Sequence, residues 1–255
     1  MSKLIDMLEK AGDQPAEPMG FGLLGSQPKS AAAMAVLTEI DADALASPSE
    51  TDGPGPDGVI VTLPIWNDGR VETAAKALDG QVWGARVGRL TADQASKLAE
   101  AGADFVVLDS TDADAAVLDV ESIAIILSLP EDADEELTRA MGELPSGATL
   151  LNPAIHESPL TLGAAVDLQR VVGRLGKPFV ATIEGEVSAA DLGILRNIGI
   201  SGLIVEASRV AAIKSDIDTL PSPKTRRRSH DALVPRSNSV AEVEAAADDD
   251  YEEDF

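Results

Sequence analysis

Cysteine is absent from the 255 residues, which excludes disulfides, thiolate zinc sites, cysteine-ligated iron–sulfur clusters and cysteine nucleophiles. That absence suits a reducing compartment, and we expect a cytoplasmic protein. Aromatic residues make up only 3% of the chain, so the core that a hydrophobic content of 44% allows has to be built from Ala, Val, Ile and Leu. Long apolar runs are missing as well. The longest strongly apolar stretch, SIAIILSL at 122–129, falls far short of the ~18 residues that suggest a membrane span. The first residues, MSKLIDMLEK, are charged and amphipathic and lack the apolar core of a signal peptide. No membrane contact is expected.

Positive charge is scarce: 20 Lys and Arg stand against 44 Asp and Glu, a formal net charge of −24. Residues 224–236 carry about +4 and residues 240–255 about −8, which leaves about −20 on the rest. Such a surface repels nucleic acid and anionic lipid over a Debye length of about 10 Å, so neither is an expected partner.

What is present is alternation. Residues 3–10 have helical spacing through Leu4, Ile5 and Leu8, and a Gly/Pro-rich segment then runs to residue 29. Beyond it, short apolar runs at 33–39, 59–64, 82–87, 105–109, 122–129, 149–152, 179–183 and 203–206 alternate with helical patterns. Rich in Val, Ile and Leu and apolar throughout, they fit strands covered on both faces. The helical patterns fall at 71–78, 92–101, 133–144, 161–175, 189–198 and 209–220, with Thr91, Asp132 and Ser188 as caps and Gly102, Gly176 and Gly199 as stops. Eight strand–helix units favour a closed parallel (β/α)8 barrel over an open sheet. The first half is eroded: residues 41–57 hold no convincing helix, and 110–119 offers a turn or two.

A repeat supports the same architecture. Shifted by 97 residues, 82–111 falls on 179–208 without a gap, setting Thr91 on Ser188, Gly102 on Gly199 and Asp109 on Glu206. A duplicated half-barrel accounts for the spacing; the alternative is chance similarity between two βα units, since all such units share these signals. We therefore expect three parts: an N-terminal helix with its Gly/Pro-rich segment at 1–29, the barrel at 30–221, and a disordered tail at 222–255, basic and then acidic. The Gly-rich stretch GDQPAEPMGFGLLG lacks the helix and Lys-Ser/Thr of a phosphate loop and suits a tight loop plugging the barrel bottom.

In a parallel barrel the chemistry sits at the strand C-termini. There the reading places Glu39, Trp66, Asn67, Arg86 and Arg89 in the first half, then Asp109, Asn152, His156, Glu184, Glu186 and Glu206. Lysine is missing from these ends, which disfavours Schiff-base chemistry. Asn152 before Pro153 reads as a strand-ending turn.

Residues 178–208 resemble the closing segment of the aldolase-type, phosphate-binding TIM barrels, a group that includes flavin-dependent oxidoreductases of the nitronate monooxygenase and IMP-dehydrogenase-like kinds. Ser188, Asp191, Gly199 and Gly202 match the scaffold part of that pattern, and Gly185 keeps one glycine of its first turn. Glu184, Glu186 and Glu206 depart from it. Two unit charges about 4 Å apart repel by ~4 kcal/mol at an effective dielectric of 20, so an ordinary phosphate or FMN site is disfavoured.

Two expectations follow. In the first, Asp109, Glu184 and Glu206 gather as hard ligands for Mg²⁺ or Mn²⁺. His156, Arg86 and Glu186 would then supply acid–base and carboxylate-binding groups for a lyase, hydrolase or isomerase acting on a small organic acid. In the second, the barrel has lost catalysis and serves as an interaction scaffold, docking a protein partner through the acidic tail that ends in Phe255.

Overall fold

A computed structural model describes residues 2–12, 33–46, 54–109, 111–156 and 158–221. The Gly-rich loop expected beneath the barrel and the tail expected to be disordered both lie outside these described residues. Eight parallel strands follow in order: β1 (Ala35–Asp41), β2 (Gly58–Leu63), β3 (Trp83–Val87), β4 (Phe105–Leu108), β5 (Ala124–Ser128), β6 (Ala148–Ile155), β7 (Phe179–Ile183) and β8 (Ile200–Val205). Each pairs with the next. The barrel closes where β8 meets β1 in a register running from Ala35 with Gly202 to Thr38 with Val205. β4 and β8 therefore stand on opposite sides, half a barrel apart, as the repeat requires.

Helices α1 (Lys3–Gly12), α2 (Asp68–Ala77), α3 (Ala92–Glu100), α4 (Glu135–Glu143), α5 (Leu162–Leu175), α6 (Ala189–Ile198) and α7 (Val210–Asp218) complete the frame. Among the described residues, the connections after β1 and β4 carry only short 3-10 turns, at Ala44–Ala46 and Ala115–Asp119. These are the eroded places in the sequence pattern. α3 and α6 alone among the described helices close a capping box, Thr91 with Gln94 and Ser188 with Asp191. The two boxes are separated by the repeat shift, and the glycines that follow, Gly102 and Gly199, both take positive φ.

Two expectations need correction. Asp134, not Asp132, caps α4, accepting from the Leu137 amide at 2.8 Å. That start leaves Glu135 and Glu136 in the first turn, where the helix dipole favours them. Nor does Asn152 end its strand. β6 continues through Pro153 to Ile155, with a register shift against β7 between Leu151 and Ile155 that accommodates a residue lacking an N–H.

The core has three parts. Outward-facing strand residues pack under the helices in two groups, one for each half of the barrel. Inward-facing residues, among them Leu37, Ile60, Phe105, Ile126, Leu150 and Ile204, fill the lumen together with Leu4 and Leu8 of α1. So α1 is the plug at the N-terminal end, the place assigned from sequence to the Gly-rich loop. Gly202 makes room for it: a Cβ there would lie 2.6 Å from Leu8 Cδ2. Asp104, just before β4, holds the first turn, accepting from Ser2 Oγ at 2.7 Å and from the Lys3 and Leu4 amides at 2.8 and 2.9 Å.

Leu8→Ala should lower the unfolding free energy by about 2–5 kcal/mol, since the side chain is fully buried in the lumen. Asp104→Ala should cost about 0.5–2 kcal/mol, as loss of a helix cap does. Urea denaturation of both variants checks the order; equal costs would contradict the plug.

Candidate functional site

Side chains alternate in and out along each strand, so residues two beyond the lumen-filling layer form the next layer up. From Leu37, Ile60 and Gly84 that step leads to Glu39, Thr62 and Arg86; from Val107, Ile126, Leu150 and Val180 it leads to Asp109, Ser128, Asn152 and Thr182. The lumen thus turns from apolar to polar at its C-terminal mouth.

Arg86 organises half of this layer. Its Nη1 donates to Glu39 Oε2 at 2.9 Å and its Nε to Asp109 Oδ2 at 2.6 Å, while Thr62 Oγ1 donates to Glu39 Oε1 at 2.6 Å. One cation, mostly shielded from solvent, therefore bridges carboxylates from β1 and the end of β4. Burial works against the guanidinium charge, but the hydrogen bond and charge of Asp109 and those of Glu39 outweigh it and hold its pKa above the ordinary value. On the next two strands Asn152 Nδ2 donates to Ser128 Oγ at 2.8 Å and to the Leu129 carbonyl at 3.1 Å.

The second half is built differently. His156 Nδ1, at the end of β6, lies 3.3 Å from Glu184 Oε2, and both side chains are exposed. Their loops are tied together below by Asp191. Its buried carboxylate accepts from Ser158 Oγ at 2.7 Å, from the Leu160 amide at 2.8 Å and from Ser188 Oγ at 2.7 Å. Burial opposes its charge, yet the bonds from Leu160, Ser158 and Ser188 prevail and hold its pKa below the ordinary range. At the ends of β7 and β8 a cleft of about 280 Å³ is lined by Glu39, Thr182, Glu184, Gly185, Glu206 and Arg209, among others. Gly185 keeps its positive φ.

Of the expected residues, Glu184 and Glu206 share this cleft, while Glu186 is exposed and does not line it. Asp109 stands elsewhere, at the end of β4 across the barrel from β8, in contact with Arg86. The expected metal triad is not assembled: among the described residues no group of three or more His, Asp or Glu side chains is placed to hold a metal ion. Arg86 does not stand open to a substrate carboxylate, because two protein carboxylates already occupy it. Asn67 caps α2, accepting from the Arg70 amide at 3.1 Å. Arg89 pairs with Asp112 at 3.1 Å on the rim.

Sequence reasoning missed Thr62, Ser128, Thr182 and Arg209, and gave Asp191 only a scaffold role. Counting by twos from the apolar lumen residues would have found the first three. Arg209 follows β8 by a short turn, and its place in the cleft depends on how the loops after β7 and β8 meet.

No protein-family model matches the sequence, and no curated protein does. Solved structures match by fold. The alpha subunit of tryptophan synthase from Legionella pneumophila is 12% identical with a TM-score of 0.56, over 86% of this chain and 100% of that one. KGPDC from Streptococcus mutans is 12% identical with a TM-score of 0.54, over 72% and 97%. The 3-keto-L-gulonate-6-phosphate decarboxylase from Vibrio cholerae is 14% identical with a TM-score of 0.53, over 72% and 97%. The chain shares the (β/α)8 barrel fold of these structures.

Arg86→Met should destabilise the fold by about 1–3 kcal/mol, less than a fully buried broken pair because Glu39 and Asp109 keep some water contact. Adding Glu39→Gln should restore part of that loss, as a urea double-mutant cycle would read. Asp191→Asn makes a pH-dependent prediction. A carboxyl with a lowered folded pKa adds stability above its unfolded value, here 3.8, and loses it as pH falls through the folded value. The wild-type advantage over Asp191→Asn should be full at neutral pH and shrink below about pH 4; a gap constant down to strong acid would refute this account.

Proposed function

We propose that the barrel mouth performs acid–base chemistry on a small organic acid, as a lyase, isomerase or hydrolase would. The observation that carries this reading is the Glu39–Arg86–Asp109 network, three charged side chains drawn partly out of water at the strand ends of an aldolase-type barrel. Sequestering charge there costs solvation, and a fold needing only stability is served as well by apolar residues. In this reading Asp109 is the proton acceptor. Arg86 is its positioning partner, fixing the carboxylate at 2.6 Å and supplying a counter-charge. His156, paired with Glu184, hands protons between the mouth and solvent. Glu184 and Glu206 leave the neighbouring cleft with more acid than Arg209 offsets, which argues against a phosphate there.

A second reading, an interaction scaffold without catalysis, draws support from the outer face of α5 and α6. Leu162 is 81% exposed, Val166 55% and Ile194 38%, and only Leu175 of α5 is buried. In that reading the face works alongside the acidic tail ending in Phe255.

Deuterium exchange separates the two. Incubation with 2-oxo and 2-hydroxy acids in D₂O should replace the substrate proton beside the carboxyl or carbonyl group, as followed by proton NMR. Asp109→Asn should slow that exchange by about 10²–10⁴-fold, the usual contribution of a positioned base. If no acid exchanges above the buffer rate, the catalytic reading falls and the scaffold stands.

A further inference from the structure

The cleft of about 590 Å³ among the loops after β2, β3 and β4 is larger than the one at the β7 and β8 ends, and the chemistry above leaves it unused. Its apolar wall holds Ile65 and Trp66, with Leu90 opposite. Ile65 is 78% exposed and Trp66 half-buried, whereas the chain's other tryptophan, Trp83, is buried. The Trp66 indole N–H donates to Asp68 at 3.2 Å, which anchors the ring beside the cleft. The remaining wall is polar. Thr91 and Gln94 are engaged with each other in the capping box of α3, and Asp114 caps the 3-10 turn through the Ala116 amide. Arg89 and Asp112 form an opposite-charge pair 3.1 Å apart, both largely exposed. Such a pair contributes little to stability.

We propose that this cleft binds a zwitterionic α-amino acid with a large apolar side chain. The ligand carboxylate takes the Arg89 fork, its ammonium takes Asp112, and its side chain covers Ile65 and Trp66. A simple acid would meet Arg89 but face the like charge of Asp112, and a simple amine would meet the reverse mismatch. A zwitterion satisfies both walls, and the volume lies within the usual range of small-molecule sites. The inference goes beyond the proposed function: it gives this cleft a ligand of its own, at residues separate from the Glu39–Arg86–Asp109 network. Binding and turnover therefore fail separately: amino-acid binding without exchange removes only the acid–base role.

The test uses the full chain with L-phenylalanine as probe, read by tryptophan fluorescence and by saturation-transfer NMR. Phenylacetate and phenethylamine serve as the half-ligands. Saturable binding of L-phenylalanine is expected, weakened about tenfold or more by Arg89→Ala, by Asp112→Asn and by either half-ligand. These side chains are exposed, so the variants should keep the wild-type melting temperature. The proposal is overturned if neither readout saturates by about 10 mM L-phenylalanine. It is equally overturned if Arg89→Ala binds as well as wild type, or if a half-ligand matches the amino acid.

Discussion

A closed barrel of eight parallel strands must dispose of one row of side chains per strand inside a lumen with no exit for misfits. That constraint runs through the rest of the molecule. In the middle it selects Leu37, Ile60, Phe105, Ile126, Leu150 and Ile204. Gly84 belongs to the same layer, and its missing side chain is space taken by Phe105: a Cβ there would lie 2.3 Å from the Phe105 carbonyl oxygen. At the N-terminal end the lumen is finished by α1, through Leu4 and Leu8, over a second glycine at 202. With aromatics at 3% of the sequence, such size matching has to come from placing glycine against the few large residues available.

At the other end the same inward rows reach water, and polar groups replace apolar ones. Their arrangement differs between the halves. In the first, Arg86 neutralises Glu39 and Asp109 and is held by both. In the second, Glu184 and Glu206 line a cleft where Arg209 is the cation. The turn after β7 bends at Gly185, which takes positive φ, and the side chains around it carry surplus acid. Likeness of fold therefore says nothing here about ligand.

The sequence was legible wherever local physics decides. β7 and α6 fall where apolar runs, capping box and stop glycine place them, and the same is true of α3. Legibility failed where two local solutions compete. Asp132 and Asp134 are both good caps, and the choice depends on where the acidic turn of α4 points. Asn152-Pro153 looks like a strand end unless the bulge in β6 is known. It failed again for side-chain partners. Strand ends told which residues reach the mouth but not which of them touch, so Asp109, Glu184 and Glu206 were grouped by position, although β4 and β8 face each other across the lumen.

The repeat gives that last error a physical meaning. Asp109 and Glu206 occupy equivalent places under the shift of 97 residues, and equivalence under a twofold puts residues far apart, not together. Near their matching turns the two halves differ in polarity. The first carries Trp66, Ile65 and the Arg89–Asp112 pair around an open cleft, whereas the second has a smaller cleft with surplus acid. The matching cap residues diverge likewise: Gln94 closes its own helix, while Asp191 also reaches Ser158 and Leu160 in the neighbouring loop. A buried charge thus joins two loops in the second half, whereas in the first the charged tie is Arg86, which joins strand ends around the lumen.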